Sequence, residues 1–202
     1  MNIKVSITAL LIVVLASCQK EEKKNDNNET KFDTSILYGE WYNNLNDAVI
    51  DLSFAPTSFS GSVYHTEGSS LVKFEDWSGM WFYTAQSQVL TMEILHSSTG
   101  QRTTHDYQII NSNSYLLTLR DRVLGSEDKF HKVVEAKTLS VGSEFDINYL
   151  NTNNISATGY VSSHSSIASV DSSGHVTANN KGVAFISITA AVGALIVKVE
   201  VN

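Results

Sequence analysis

The sequence predicts an all-β protein with an N-terminal antiparallel up-and-down barrel of about eight strands and a smaller C-terminal β-sandwich. Apolar and polar residues alternate in short runs from residue 35 onward, which is the period of half-buried strands. Short segments rich in serine, asparagine and glycine separate these runs, as turns do. After residue 134 aromatic residues become rarer and serine, asparagine and glycine more frequent, which indicates a second domain.

Residues 1–17 are typical of a secretory signal peptide. Lys4 supplies a positive start, and the apolar run that ends at Leu15 is shorter than the about 20 residues of a membrane-spanning helix. Small residues then precede Cys18, the only cysteine of the chain. A single cysteine forms no intramolecular disulfide, so the folded chain depends on its apolar cores.

The segment Leu15-Ala16-Ser17-Cys18 resembles the lipobox of bacterial lipoproteins. The resemblance implies that Cys18 is acylated, becomes the first residue of the mature protein and holds it on a membrane. Several acyl chains anchor a protein stably, because each buried methylene contributes about 0.8 kcal/mol. The alternative is an ordinary thiol that follows an ordinary signal peptide.

Residues 18–34 are predicted to form a flexible charged tether. Residues 19–30 contain no aromatic or aliphatic side chain, so burial cannot offset the entropy of ordering them. The Gln19-Lys20-Glu21-Glu22 segment resembles the lysine-plus-acidic export signal of some Gram-negative lipoproteins. That resemblance implies an outer-membrane protein facing the exterior, and the periplasmic leaflet is the alternative.

Residues 35–134 are predicted to form the barrel, because short connections between successive strands favour an up-and-down sheet and closure removes the exposed edges. Gly39-Glu40-Trp41, then Leu52-x-Phe54, then the aromatic and leucine pattern of residues 107–119 resemble the lipocalin-like domains of envelope lipoproteins. Larger lipocalins have longer loops and usually disulfides, and this segment has neither. An eight-stranded barrel is either filled by side chains or holds one small ligand, and the sequence leaves both open.

Four aromatic residues are the candidate ligand-binding residues. Trp77, Trp81 and Tyr83 have the same parity along one predicted strand, so they face the same side. Facing inward, they form core or line an apolar pocket; facing outward, they offer a platform to a sugar or another flat ligand. Trp41, in the first strand, is predicted to plug the end of the barrel.

Residues 135–202 are predicted to form about seven short strands in a small sandwich. Residues 162–178, continuing to 181–184, resemble the bacterial immunoglobulin-like group 2 family. Asp171 to Gly174 is the predicted turn, because Asp bonds the backbone and Gly adopts a positive φ. The family's usual Trp and Pro are Tyr160 and Ser165 here. The resemblance implies a spacer, stalk or adhesion role.

Nothing in the sequence predicts catalysis, a cofactor or a metal site. The adjacent Glu75 and Asp76 point to opposite sides of a strand and cannot form one acid/base pair. No serine lies in a nucleophile-elbow context. The net charge of -7 without a basic patch argues against nucleic acid as a partner. No two histidines have metal-ligand spacing, and they are His65, His96, His105, His131, His164 and His175.

The sequence therefore supports two functional hypotheses, both non-enzymatic. In the first, a lipid-anchored envelope protein captures a small apolar or carbohydrate ligand in its barrel. In the second, a fully packed barrel serves as a structural or adhesion module that binds another envelope or extracellular protein or glycan. A cavity of about 300 Å³ or more inside the barrel favours the first hypothesis.

Overall fold

The computed structural model describes residues 32–45 and 48–202. Cys18, the predicted signal peptide and the tether up to residue 31 lie outside the described residues. The described residues form one compact unit, in which most of the regular secondary structure is strand. The prediction of an all-β protein is confirmed. Among the described residues, no helix is long and apolar enough to cross a membrane.

Eight strands close into an antiparallel barrel. Each strand pairs with the next along the chain, and β1 pairs with β8 through Trp41 opposite Lys132 and Tyr42 opposite His131. The predicted eight-stranded up-and-down barrel is therefore confirmed. Its strands are β1 (Gly39–Leu45), β2 (Ala48–Phe54), β3 (Ser58–Glu67), β4 (Ser70–Thr84), β5 (Val89–His96), β6 (Arg102–Ser112), β7 (Leu116–Asp121) and β8 (Glu127–Leu139).

Alternation along the strands fills the barrel interior with apolar side chains. On β2, for example, Leu52 and Phe54 face inward while Asp51 faces outward. A 3-10 helix, Thr34–Leu37, precedes β1 and adds Leu37 to the interior. The buried members of this core are Leu37, Trp41, Leu52, Phe54, Phe59, Trp81, Leu90, Met92, Ile94, Leu117, Leu119 and Phe130.

Strands beyond the barrel continue from β8 without a break. The C-terminal half of β8 pairs in parallel with β14, so the sheet extends in the order β8, β14, β13 and β10. A second sheet has the order β11, β12 and β9. These elements are β9 (Glu144–Asp146), α1 (Tyr149–Thr152), β10 (Ala157–Ser162), β11 (Ala168–Val170), β12 (His175–Ala178), β13 (Gly182–Ala190) and β14 (Gly193–Val201).

The C-terminal strands share a core of their own, which includes Ala168 and Val176 from the small sheet and Ile186 and Val197 from the large one. The predicted boundary between residues 134 and 135 falls inside β8. The predicted turn is present: the Asp171 carboxylate accepts hydrogen bonds from the backbone N–H groups of Ser173 and His175, and Gly174 has φ of +86°.

A third cluster joins the outer wall of the barrel to the C-terminal strands. Tyr42 and Tyr64 of the barrel pack their rings against Phe185 of β13. Nearby, the Lys198 ammonium forms a largely buried ion pair with Asp51. The barrel and the C-terminal strands are therefore held together by apolar packing and by one ion pair as well as by the continuous β8.

Candidate functional site

The two ends of the barrel differ in chemistry. One end, called the apolar end below, carries the 3-10 helix and the connections after β2, β4 and β6. The opposite end, called the polar end, carries the connections after β3, β5 and β7. In an antiparallel up-and-down barrel successive connections alternate between ends, so each strand contributes inward-facing residues to both.

The apolar end is filled by large side chains. Trp41 is fully buried, and its indole N–H donates a hydrogen bond of 2.7 Å to the Leu37 carbonyl. Trp81 is 6 % exposed and donates similarly to the Ala55 carbonyl, at 2.8 Å. Tyr83 lies beside Phe32, with ring centroids 4.9 Å apart. Protein groups therefore satisfy both indole N–H groups and surround both indole rings.

Of the four candidate ligand-binding residues, only Trp77 lies toward the polar end. As predicted, Trp77, Trp81 and Tyr83 face the same side of their strand. All three side chains pack against the barrel core. However, Trp77 and Trp81 are four positions apart, or roughly 13 Å along the strand. The structure therefore places Trp41, Trp81 and Tyr83 in the packed end and separates Trp77 from them.

Polar side chains face the interior at the polar end. The strand register explains why: His96 lies opposite Trp77, and Thr103 lies opposite Ile94, so both have interior-facing parity. The same alternation applies along each strand. The interior-facing polar residues of this end are Asn43, Glu75, His96, Thr103, His105, Tyr107, Asp121 and Asp128.

A chain of hydrogen bonds at the polar end runs from Trp77 and Ser98 through Glu75 and His96 to Thr103. The Glu75 carboxylate accepts from the Trp77 indole at 2.5 Å and from the Ser98 hydroxyl at 2.6 Å. His96 Nδ1 lies 3.2 Å from the same carboxylate, and His96 Nε2 lies 2.9 Å from the Thr103 hydroxyl. Three strands, β4, β5 and β6, therefore contribute to one connected polar group.

The ionisation of Glu75 sets the direction of these hydrogen bonds. Burial opposes its charge, but hydrogen bonds from Ser98, Trp77 and His96 outweigh burial and lower the pKa of the Glu75 carboxyl below its ordinary value. An ionised carboxylate only accepts hydrogen bonds, so His96 Nδ1 carries the proton. In neutral His96, Nε2 is then the acceptor for the Thr103 hydroxyl.

Two aspartates at this end have opposite pKa shifts. Backbone N–H groups of Leu124 and Val123 donate to Asp121 and lower the pKa of its carboxyl. Burial, together with the charge of Asp121, raises the pKa of Asp128. Burial and these two carboxylates also raise the pKa of Tyr107 to about 12. The site therefore combines acceptors, donors and partly buried charge.

Asn43 is a buried polar side chain without a hydrogen-bond partner in the part of the chain that the structure describes. It is 4 % exposed, and it shares the interior-facing parity of Trp41 on β1. Its amide nitrogen Nδ2 has no hydrogen-bond partner among the described residues. An unsatisfied buried donor is costly, by about 1–3 kcal/mol, and such a group is commonly satisfied by water or a ligand.

Sequence reasoning missed Glu75, His96 and Thr103 as one cluster. The prediction that Glu75 and Asp76 point to opposite sides of their strand is confirmed. Glu75 accepts a hydrogen bond from the inward-facing Trp77, while Asp76 accepts hydrogen bonds on the outer side from Ser62 and Lys73. The period of two could have placed His96 on the face of Ile94. The pairing that brings Thr103 to His96 depends on the register of β5 and β6.

Two grooves lie on the outer side of the barrel wall. One, of about 370 Å³, is lined by residues of β1 to β4, including Asp51, Ser62, Asp76 and Trp77, and by Lys198. The other, of about 300 Å³, lies between the β1–β8 junction and the C-terminal strands, near His131 and Ser187. Burial lowers the pKa of His131.

Within residues 32–45 and 48–202, no group of three or more His, Asp, Glu or Cys side chains is placed to hold a metal ion.

Comparison with known proteins identifies no relative of this chain. No family model matches it, and no curated protein or solved structure matches it. The fold and the site define the class: an all-β protein with a closed antiparallel barrel that is apolar at one end and polar at the other.

Proposed function

We propose that this chain is a lipid-anchored envelope protein that captures a small carbohydrate-like ligand at the polar end of its barrel. The observation that carries the proposal is the group of part-buried polar side chains around Trp77. The sequence alone left apolar and carbohydrate ligands open. The filled apolar end favours the carbohydrate, because an apolar ligand would need space that Trp41 and Trp81 occupy.

The chemistry of the polar end suits a polyhydroxylated ligand. A tryptophan ring packs well against an apolar sugar face, and a few placed polar groups fix the orientation of a bound small molecule. Glu75 supplies carboxylate oxygens, and Ser98 supplies a hydroxyl oxygen beside Trp77. Sugar hydroxyls both donate and accept, so they match this mixture of groups.

Asn43 supports the same proposal from the opposite wall of the barrel. Its Nδ2, which has no partner within residues 32–45 and 48–202, is a donor, and a sugar hydroxyl oxygen is an acceptor of the right kind. A ligand that satisfied this group would remove the cost of leaving it unpaired.

Calorimetric titration of residues 32–202 with neutral mono- and oligosaccharides, and separately with fatty acids, tests the proposal. We expect heat of binding and a change in tryptophan emission with a saccharide and no binding of fatty acids. Trp77→Ala should weaken saccharide binding at least tenfold. Phe82→Ala is the matched control, because Phe82 is an exposed aromatic residue of the same strand and faces outward.

Other outcomes would identify other functions. Fatty-acid binding without saccharide binding would replace the carbohydrate with an apolar ligand. No binding across both panels would favour the structural or adhesion hypothesis, in which the partner is another envelope or extracellular macromolecule. Equal saccharide binding by wild type and Trp77→Ala would remove the polar end from the proposal.

The anchoring part of the proposal rests on Cys18 and the tether that follows it. The described chain begins at Phe32, whose ring lies beside Tyr83 at the apolar end. An anchor joined at that end leaves the polar end free of the attachment. Cys18→Ala should move the protein from the membrane fraction to the soluble fraction, and an unchanged distribution would contradict lipidation.

Surface display is tested separately from anchoring. Replacing Lys20, Glu21 and Glu22 with alanine should change the protein from protease-accessible to protease-protected on intact Gram-negative cells. Equal digestion of the variant and the wild type would remove the export-signal argument. It would also favour the periplasmic leaflet if both were protected.

We assign the C-terminal strands to an immunoglobulin-like sandwich with a supporting role. The resemblance of residues 162–178 suggests it, and the core shared by the small sheet and by β13 and β14 supports it. Because Ser166 of this part donates to the Ser69 carbonyl at the β3–β4 turn, the C-terminal part also contacts the barrel beyond β8. Its role is to hold and present the barrel.

A further inference from the structure

The hydrogen-bond chain at the polar end has the arrangement of an activated nucleophile. A hydroxyl within 2.6–3.2 Å of an imidazole nitrogen, with a third group orienting the imidazole, is its structural signature. Thr103 Oγ1 lies 2.9 Å from His96 Nε2, and His96 Nδ1 lies 3.2 Å from Glu75 Oε1. The order hydroxyl, imidazole and carboxylate is that of a hydrolytic triad.

The geometry points to an acyl-transfer activity at the polar end, with Thr103 as nucleophile, His96 as general base and Glu75 as the positioning carboxylate. The substrate class is an ester of a small polyol, such as an O-acylated sugar. This substrate class rests on the proposed carbohydrate site. The hydrolytic chemistry goes beyond that site and can be measured without a sugar.

Each proton in the reaction has an assigned position. Thr103 Oγ1 attacks the ester carbonyl carbon and forms a new C–O bond while its proton moves to His96 Nε2. The bond from the carbonyl carbon to the alcohol oxygen breaks, and His96 gives the proton to that oxygen. Water then attacks the acyl carbon and loses a proton to His96. The bond from that carbon to Thr103 Oγ1 breaks, and His96 returns the proton to Oγ1. The sum is ester plus water giving acid plus alcohol.

His105 supplies a donor for the negative charge that develops on the carbonyl oxygen. Its Nε2 lies 3.1 Å from Thr103 Oγ1. Since the Thr103 hydroxyl donates to His96, His105 Nε2 donates to the Thr103 oxygen. A carbonyl carbon bonded to that oxygen places its own oxygen within reach of the same donor, and one such donor contributes about a hundredfold or more to the rate.

The position of the group in the barrel favours catalysis over a flexible surface contact. Glu75, His96 and Thr103 lie on adjacent paired strands, and sites built on strands hold their geometry better than sites on loops. The Glu75 side chain is only 8 % exposed and that of His96 is 21 % exposed. Low exposure strengthens the electrostatic contact between the imidazole and the carboxylate.

Acylation by para-nitrophenyl acetate is the direct test. Incubation of residues 32–202 with this ester, followed by acid quenching and mass spectrometry, should give one acetyl group on the peptide that contains Thr103. Thr103→Val should lose this adduct, and His96→Phe should slow its formation about a hundredfold or more. Thr104→Val is the matched control, because Thr104 is the neighbouring exposed residue and should retain wild-type acylation.

Glu75 has its own readout, because it acts through His96. Glu75→Gln should lower the acylation rate at saturating ester at least tenfold and leave the half-saturating ester concentration unchanged. A structural role would instead change both values, or the unfolding midpoint alone. Circular dichroism melts of all variants show whether the barrel remains folded.

The possible results separate this proposal from the binding proposal. Adducts only on lysines, or an unchanged Thr103 adduct in His96→Phe, would overturn the acyl-transfer activity. Thr103 acylation without saccharide binding would support the chemistry and reject the carbohydrate site. Saccharide binding without acylation at Thr103 would leave the polar end as a binding site alone.

Discussion

Three tryptophans line one barrel, yet the partners of their indole N–H groups differ between its two ends. At the apolar end, Trp41 and Trp81 donate to the backbone carbonyls of Leu37 and Ala55. Toward the polar end, Trp77 donates to the Glu75 carboxylate. A hydrogen bond to a backbone carbonyl fixes the indole in the core and connects it to no other side chain. A carboxylate partner instead connects the indole to the His96 imidazole and to the hydroxyls of Ser98 and Thr103.

Under the proposed function, folding stability and ligand binding belong to opposite ends of the barrel. Apolar burial at one end supplies folding free energy in proportion to the area removed from water. The other end holds partly buried polar groups, which contribute little net stability and are retained most readily where they do chemistry. Substitutions at the two ends should therefore affect different measurements.

The largest expected effect comes from breaking the apolar end. Trp41→Ala removes a fully buried side chain and its hydrogen bond, so we expect a loss of about 3–5 kcal/mol in the free energy of unfolding. Urea unfolding followed by circular dichroism measures it. Trp77→Ala at the polar end should cost clearly less. Equal losses for the two variants would contradict the division of roles.

Between the two ends, Gly79 tests how closely the strands approach. An added Cβ at Gly79 would lie 1.8 Å from the Glu93 carbonyl oxygen on β5, which forces β4 and β5 apart. We expect Gly79→Ala to cost about 1–3 kcal/mol or more. Gly159→Ala is the control, since its Cβ would have no neighbour within 4 Å. If the Gly79 variant is as stable as the control, β4 and β5 accommodate the added Cβ at no cost in stability, which contradicts the close approach.

At the polar end, Asp121 and Asp128 should respond in opposite directions. The pKa of Asp121 is lowered by the backbone N–H groups of Leu124 and Val123, so its carboxylate stabilises the fold at neutral pH. The pKa of Asp128 is raised by burial and by Asp121, so its charge destabilises the fold there. Asp121→Asn should lower the unfolding midpoint at pH 7, and Asp128→Asn should raise it.

The pH dependence of these two variants checks the sign. The contribution of Asp121 is present above its ordinary pKa of 3.8 and is lost as pH falls through its lower folded value. The penalty from Asp128 appears as pH rises from 3.8 through its higher folded value. Thermal melts between pH 3 and pH 7 should therefore show the Asp128→Asn advantage only at the upper end. An advantage that persists in acid would contradict the assignment.

The smallest effect is expected at the turn between β7 and β8. Val123 and Leu124 are 89 % and 80 % exposed, so replacing either with serine should change the unfolding free energy by no more than about 0.5 kcal/mol. Urea unfolding measures this change. A larger loss would show that these side chains pack, and a selective loss of ligand affinity would extend the site onto the turn.

The barrel could be predicted from sequence because its signal is local. Alternation within single strands, such as Ile50, Leu52 and Phe54, and short turns between strands fix both the strand count and the antiparallel order. The shared facing of Trp77, Trp81 and Tyr83 followed from the same period. The predicted turn at Asp171 to Gly174 needed only the chemistry of four adjacent residues.

The site could not be predicted because it depends on register between strands. Glu75 and Thr103 are 28 positions apart in sequence, and only the pairing of β4 with β5 and β5 with β6 brings them to one imidazole. Each of the three residues alone is ordinary in a strand. The sequence-based prediction of no enzymatic activity did not include the hydrogen-bonded group of Glu75, His96 and Thr103. The acyl-transfer proposal, which rests on that group, is an alternative to it.

The junction between β1 and β8 has a consequence for local opening. Only two residue pairs, Trp41 with Lys132 and Tyr42 with His131, join these strands in their described parts, whereas β1 and β2 are joined by seven. Amide hydrogen exchange should therefore begin at the β1–β8 junction while the other seven junctions stay protected. Such transient opening next to Asn43 would give solvent and small molecules a side route into the polar end.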